Sequence, residues 1–182
     1  TMDKDSNKCK TRSSYGTLGL DYNDGFIELA ETNETGNLVG LQHFGLKYHG
    51  TGKKAENEIR EIVSEIVHYA ISVGKDVVIE DLDFRKTKSE TEAAKSDKGK
   101  NYNKMIHAFD YSRYKKSFED CCFRRDVNLI EVNPAYTSKI AAQKYCKRKK
   151  LVIHQGASYV IARRGQDYVD KYIESKKVNK SA

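Results

Sequence analysis

The sequence predicts one α/β domain, a mixed five-stranded sheet flanked by helices, and three observations carry that expectation. Three β-like runs joined by tight-turn residues open the chain, a long amphipathic helix follows, and a continuously apolar run comes next, the pattern of a central strand reached by a crossover. The chain has 182 residues, 38% hydrophobic and 32% charged, the size of one ordinary domain. Its 12 Tyr and 6 Phe are too many for a chain swollen by its own charge.

The elements follow in order. Residues 1–14 are polar and without periodicity and read as a disordered or cut edge, so that folding starts near Tyr15 and the domain spans 15–175, with 176–182 as a tail. Thr17 to Leu20, Phe26 to Glu31 and Leu38 to Phe44 read as strands of an antiparallel meander; Asn23-Asp24-Gly25 and Glu34-Thr35-Gly36-Asn37 supply the turns. From Lys53 to Val73 apolar residues recur at helical spacing, from Ile59 to Ile71, and Gly74 ends the helix. Asp76 to Leu82 is apolar until its carboxylates, as expected of a strand buried on both faces. Residues 85–103 are charged and aperiodic and read as a mobile loop. Tyr111 to Asp126 reads as a helix, Asn128 to Val132 as a short strand, Ser138 to Lys147 as a short helix, the KRKK run at 147–150 as a basic connection, and His154 to Ile173 as a final helix. This order is that of a ribonuclease H-like fold.

Composition narrows the functional classes. No run approaches the roughly 18 apolar residues of a membrane span and no apolar leader opens the chain, so it reads as soluble and cytoplasmic, with no membrane partner. Cys9, Cys121, Cys122 and Cys146 form no Cys-x-x-Cys pair and read as reduced, mostly packing thiols. Charge is uneven: residues 1–94 carry 12 basic and 17 acidic side chains, residues 95–182 carry 21 and 9. A strongly basic second half suggests a polyanion partner; a solvated Lys-rich surface is the competing reading.

The residues best placed for chemistry are acids at the ends of core strands. Asp21 follows Leu18-Gly19-Leu20 and Glu80 follows Val77-Val78-Ile79. On neighbouring strands the two carboxylates meet at one sheet edge, repel one another and attract hard divalent cations. Two such cations, about 3.5–4 Å apart, activate a water and stabilise the leaving oxygen of a phosphodiester. The competing reading makes Asp21 a turn residue and Glu80 a solvent-facing cap.

Four strings, GLDYNDGFIELAETNETGNLV at 19–39, VVIEDLDF at 77–84, LIEVNPAYTSKIAAQKY at 129–145 and HQGASYVIARRG at 154–165, occur in the order and spacing of a known family. Over residues 17–166 the chain resembles the OrfB/TnpB family, the RuvC-like nucleases of insertion sequences related to type V CRISPR effectors. The resemblance implies that Asp21 and Glu80 are ligands of Mg²⁺ or Mn²⁺ and that the partners are DNA and a guide RNA. The chain departs from the family pattern in three ways. Where most relatives carry an aspartate before an Asn-Ala-Ala helix start, it has His154-Gln155-Gly156, so His154 is the expected third catalytic and metal-binding group; Asp167 and Asp170 are weaker rivals, Asp167 about 20 Å along a continuous helix. Where relatives insert a zinc ribbon, it has only Cys146, so no zinc is expected. Only about twenty residues precede Asp21, whereas full members place a guide-binding and DNA-recognition region there, so the chain resembles the C-terminal part of a longer ancestor.

The expected nucleic-acid contacts are Lys144, Lys147, Arg148, Lys149 and Lys150 beside Tyr145, Arg163 and Arg164 on the final helix, and Tyr136 as a base-stacking ring. Two functions follow: a metal-dependent RuvC-type DNA endonuclease domain, or a catalytically reduced nucleic-acid-binding remnant that keeps the fold and the basic surface.

Overall fold

The computed structural model describes residues 9–50, 52–82 and 98–174, the stretch 98–109 by its backbone alone. Strands β1 (Thr17–Asn23), β2 (Phe26–Thr32) and β3 (Leu38–Gly45) form the antiparallel meander; helix α1 (Lys53–Val73) leads to β4 (Asp76–Glu80); helix α2 (Lys98–Arg125) leads to β5 (Leu129–Val132). A helical run α3 then passes from an α turn (Thr137–Ile140) through a π-helical stretch (Ala141–Cys146) to a last turn (Lys147–Lys149), and α4 (Ile153–Gly165) follows. The sheet order is β3-β2-β1-β4-β5, with β4 parallel to both β1 and β5.

The two faces of the sheet bury different partners. Leu18 and Leu20 of β1, Ile27 and Leu29 of β2 and Val77 and Ile79 of β4 pack against α1 and α2, through Ile59, Val63, Ile66, Tyr114 and Phe118 among others. The alternate residues face α3 and α4: Ala30 packs with Ile140, Tyr159 and Val160, and Val78 with Ile161. Two glycines bring α4 onto this face. A Cβ on Gly19 would stand 2.3 Å from the backbone of Ser158 and of Ala162, and one on Gly165 would stand 2.3 Å from Val78 Cγ2. This close approach carries the N-terminal end of α4 to the rim where β1 and β4 end.

The five-stranded sheet, its flanking helices and the three meander strands match the sequence expectation, while several boundaries do not. Residues 98–103 belong to α2 rather than to a loop, since a helix backbone does not require a periodic apolar pattern; residues 83–97 lie outside the described residues. The last helix stops at Gly165, eight residues before Ile173, with Asp167 in the left-handed region (φ 63°) and the apolar Val169 80% exposed. The KRKK run is helical through Lys149, and left-handed Lys150 ends it. Cys121 and Cys122 are both buried, since the face that α2 turns to its neighbours is wide enough to take two successive residues. At the start, Thr11 is buried and Arg12 N donates to Gly74 O at 2.9 Å, so residues 9–14 dock on the domain; residues 1–8 and 175–182 lie outside the described residues. Among the described residues no helix is long and apolar enough to cross a membrane.

Candidate active site at the sheet rim

Asp21 lies inside β1, two residues past Gly19, and Glu80 ends β4, two residues past Val78; Gly19 and Val78 are register partners. The pleat returns every second side chain to the same face, so both carboxylates share the α4 face at one end of the central strands. Both are buried, and the charges of both reach the hydroxyl of Tyr114, fully buried beneath the sheet, and raise its pKa together with the burial that dominates the shift.

Each carboxylate is held by a named neighbour. Asp21 Oδ2 accepts from Asn23 Nδ2 at 2.9 Å and lies 3.0 Å from His154 Nδ1, with His154 in the first turn of α4. An ionised carboxylate only accepts, so Nδ1 carries the proton and Nε2 is left for other chemistry. Glu80 Oε1 accepts from Thr137 Oγ1 at 2.7 Å, and the Glu80 carbonyl accepts from the Tyr111 hydroxyl. Burial pushes the Asp21 carboxyl above its ordinary range, the bonds from Asn23 and His154 pull it back, and the charge of Glu28 pushes it up again.

Glu28 was not anticipated. It is the register partner of Asp21 across the β1–β2 hairpin, and His43 is the register partner of Glu28 on β3. Glu28 Oε1 lies 2.7 Å from His43 Nδ1, whereas its Oε2 is buried with no hydrogen-bond partner among the described residues. Phe26 joins the two histidine–carboxylate pairs, stacked on His43 at 5.4 Å and edge-on to His154 at 5.1 Å. The signal for Glu28 was present in the sequence: a two-residue Asp24-Gly25 turn puts residue 28 opposite residue 21.

The donor set suits a hard cation that keeps part of its own water shell. Asp21 and Glu80 supply carboxylate oxygens on adjacent strands, both Asp21 bonds fall on Oδ2, and the unpartnered Glu28 oxygen adds negative potential nearby. Among the described residues no group of three or more His, Cys, Asp or Glu side chains is placed to hold a metal ion. Two carboxylates on adjacent strands would fit Mg²⁺- or Mn²⁺-like ions that take the rest of their shell from water and substrate oxygens.

The other expected site residues divide into two groups. Lys147, Arg148 and Lys150 are exposed on the last turns of α3, Lys149 is half-buried, and Arg148 lies over the Tyr145 ring at 5.6 Å. Arg163 and Arg164 are committed internally: Arg163 Nε donates to Asp170 Oδ2 at 2.8 Å and its Nη1 to Gly36 O at 2.9 Å, while Arg164 donates to the carbonyls of Asn133 and Ala135. Lys144 leans on Asp170 at 3.6 Å. Asp170, held by Arg163, Lys144 and the Tyr145 hydroxyl, is part of this brace, and Asp167 lies beyond the end of α4.

Two solved structures show what this fold is similar to. Thermus thermophilus RuvC in complex with a Holliday junction substrate matches with a TM-score of 0.53 at 13% identity, over 80% of this chain and 88% of that one. A second Thermus thermophilus RuvC structure matches with a TM-score of 0.50 at 13% identity, over 80% of this chain and 90% of the other. No family model matches the chain, and neither does any curated protein sequence. The five-stranded mixed sheet flanked by helices is a RuvC-like, ribonuclease H-like fold.

Proposed function

We propose that the chain is a metal-dependent DNA endonuclease domain of RuvC type, of the RNA-guided OrfB/TnpB kind that its sequence strings resemble. The observation that carries this reading is the convergence of Asp21 and Glu80 on one rim, with His154 3.0 Å from Asp21. The RuvC structure it resembles is bound to a DNA junction, which supports a nucleic-acid substrate here.

In this reading Asp21 and Glu80 hold the divalent cations. Bound there, these ions supply neutralisation of the phosphate to be cut and activation of a water for in-line attack. The chain's own residues do the rest. Asn23 and Thr137 fix the carboxylate rotamers, His154 presents Nε2 at the rim for a water or a phosphate oxygen, and Glu28 keeps the local potential negative until a cation arrives. Lys147, Arg148 and Lys150 offer exposed cations to the phosphate backbone, which makes binding salt-dependent and largely blind to sequence.

The test is Mg²⁺- or Mn²⁺-dependent cleavage of single-stranded DNA and of an RNA–DNA heteroduplex by the chain, by Asp21→Asn and by Glu80→Gln. The reading expects cleavage that chelator removes and that both substitutions abolish. Cleavage that survives either substitution contradicts it. The second reading, a binding remnant that no longer cuts, is favoured by His154, which stands where the family it resembles carries a third acid. DNA binding with no cleavage in either metal would select it.

A further inference from the structure

Beside Glu80 the chain builds an aromatic surface that the hydrolytic reading does not use. Tyr136 adopts the left-handed conformation (φ 62°, ψ 14°), sparsely populated for a residue with a Cβ, and its side chain is 53% exposed. The backbone before it is pinned: Arg164 donates to the carbonyls of Asn133 and Ala135, and Ala135 N donates to Asn133 Oδ1 at 2.8 Å. The residue after it, Thr137, holds Glu80 at 2.7 Å. The Tyr136 ring stacks on Tyr172, centroids 5.5 Å apart and planes 13° apart, and Lys139 Nζ lies 5.5 Å from one centroid and 5.4 Å from the other. Tyr172 is braced in turn by Gln143, whose Nε2 donates to Ile173 O at 2.8 Å and whose Oε1 accepts from Ile173 N at 3.0 Å. The pair borders an open cavity of about 680 Å³ that Val132, Arg164 and Tyr168 also line.

A core tyrosine does not need an uncommon backbone conformation to hold half its surface in water. A fixed, cation-flanked and exposed aromatic face next to a carboxylate rim suits one ligand chemistry, the flat face of an unpaired base whose phosphate lies near a positive charge. We propose that Tyr136, stacked on Tyr172 and flanked by Lys139, is the platform on which an unpaired base of a nucleic-acid strand stacks as its backbone passes the Glu80 end of the rim. This inference rests on the nuclease reading above for its substrate, and it adds a residue that selects unpaired over paired strand.

The probe is a single-stranded oligonucleotide carrying 2-aminopurine, a base whose fluorescence is quenched on stacking, titrated in Ca²⁺ against the whole chain, Tyr136→Asn, Tyr136→Phe and Glu80→Gln. Asn tolerates the left-handed backbone, so Tyr136→Asn removes the ring without adding strain. The expected result is quenching by the parent chain and by Tyr136→Phe, its loss in Tyr136→Asn with about a tenfold weaker affinity for single strand, and an unchanged affinity for duplex. Equal single-strand affinity and quenching in Tyr136→Asn, or equal weakening toward duplex, overturns the proposal. Quenching that persists in Glu80→Gln together with a parent chain that never cleaves would sink the nuclease reading and leave the platform standing. Cleavage with no effect of Tyr136→Asn would do the reverse.

Discussion

Helix α4 has a carboxylate at each end, and the two are treated in opposite ways. Near its start, Asp21 is met by an amide, by a histidine and by a second carboxylate, and burial with the charge of Glu28 outweighs the two bonds that lower its pKa. Beyond its end, burial alone would raise Asp170, but the bonds from Arg163 and Tyr145 and the charges of Arg163 and Lys144 hold it below its ordinary range. A carboxylate saturated by the chain's own cations is a brace. One kept short of cations beside other carboxylates stores a repulsion that a divalent ion relieves.

The largest effects expected follow from that contrast. Asp21→Asn and Glu80→Gln should each lower Mg²⁺-dependent cleavage by more than about 100-fold, read as single-turnover rates, while Asp21→Asn raises Tm at neutral pH. The sign follows from linkage. A carboxyl whose folded pKa lies above its unfolded value of 3.8 costs stability as pH rises from 3.8 through that folded value; the full penalty is present at neutral pH, and the amide removes it. Asp170→Asn should do the opposite, leaving the rim chemistry intact and costing about 2 kcal/mol of stability, because the half-buried Arg163 loses its charged partner. That contribution is fully present above the unfolded pKa of 3.8 and is lost as pH falls through the lower folded value, so denaturant melts of parent and variant should converge in strong acid. If Asp21→Asn is as destabilising as Asp170→Asn, the contrast fails.

Smaller effects sharpen it. Glu28→Gln should weaken Mn²⁺ binding about tenfold in calorimetry, because it removes negative charge directly across from Asp21 without touching Asn23 or His154. The triple change of Lys147, Arg148 and Lys150 to Ala should reduce the salt slope of single-strand affinity by about 2, at roughly 0.7 for each phosphate no longer neutralised. A comparable slope change from Arg164→Ala alone would mean that its bonds to Asn133 and Ala135 do not hold it.

Much of this was legible in the sequence because alternation and helical spacing report burial directly. The runs around Leu18, Ile27 and Val77 announced strands, and Asp21 and Glu80, following the first and the last of them, announced the rim. Periodicity failed where apolar spacing and helix do not coincide. The first turns of α2 have no apolar stripe, and Val169 continues the spacing of α4 although the helix has already ended at Gly165. Charge misled in another way: Arg163 and Arg164 look like free cations in a basic half, and only the folded chain reveals that Asp170 and two loop carbonyls take them. Glu28 is not marked by its alternation with Ile27 and Leu29, which says only that it faces away from the α1–α2 core; the register set by the Asp24-Gly25 turn is what puts it opposite Asp21.

The account stands on Asp21 and Glu80 forming one cation site. Paramagnetic titration of Mn²⁺ into the chain, Asp21→Asn, Glu80→Gln and the double variant tests it without any substrate. A shared site predicts that each single change removes most of the binding and that the double change removes little more. Two independent losses that add, or Mn²⁺ binding at parental strength in either single variant, would contradict it.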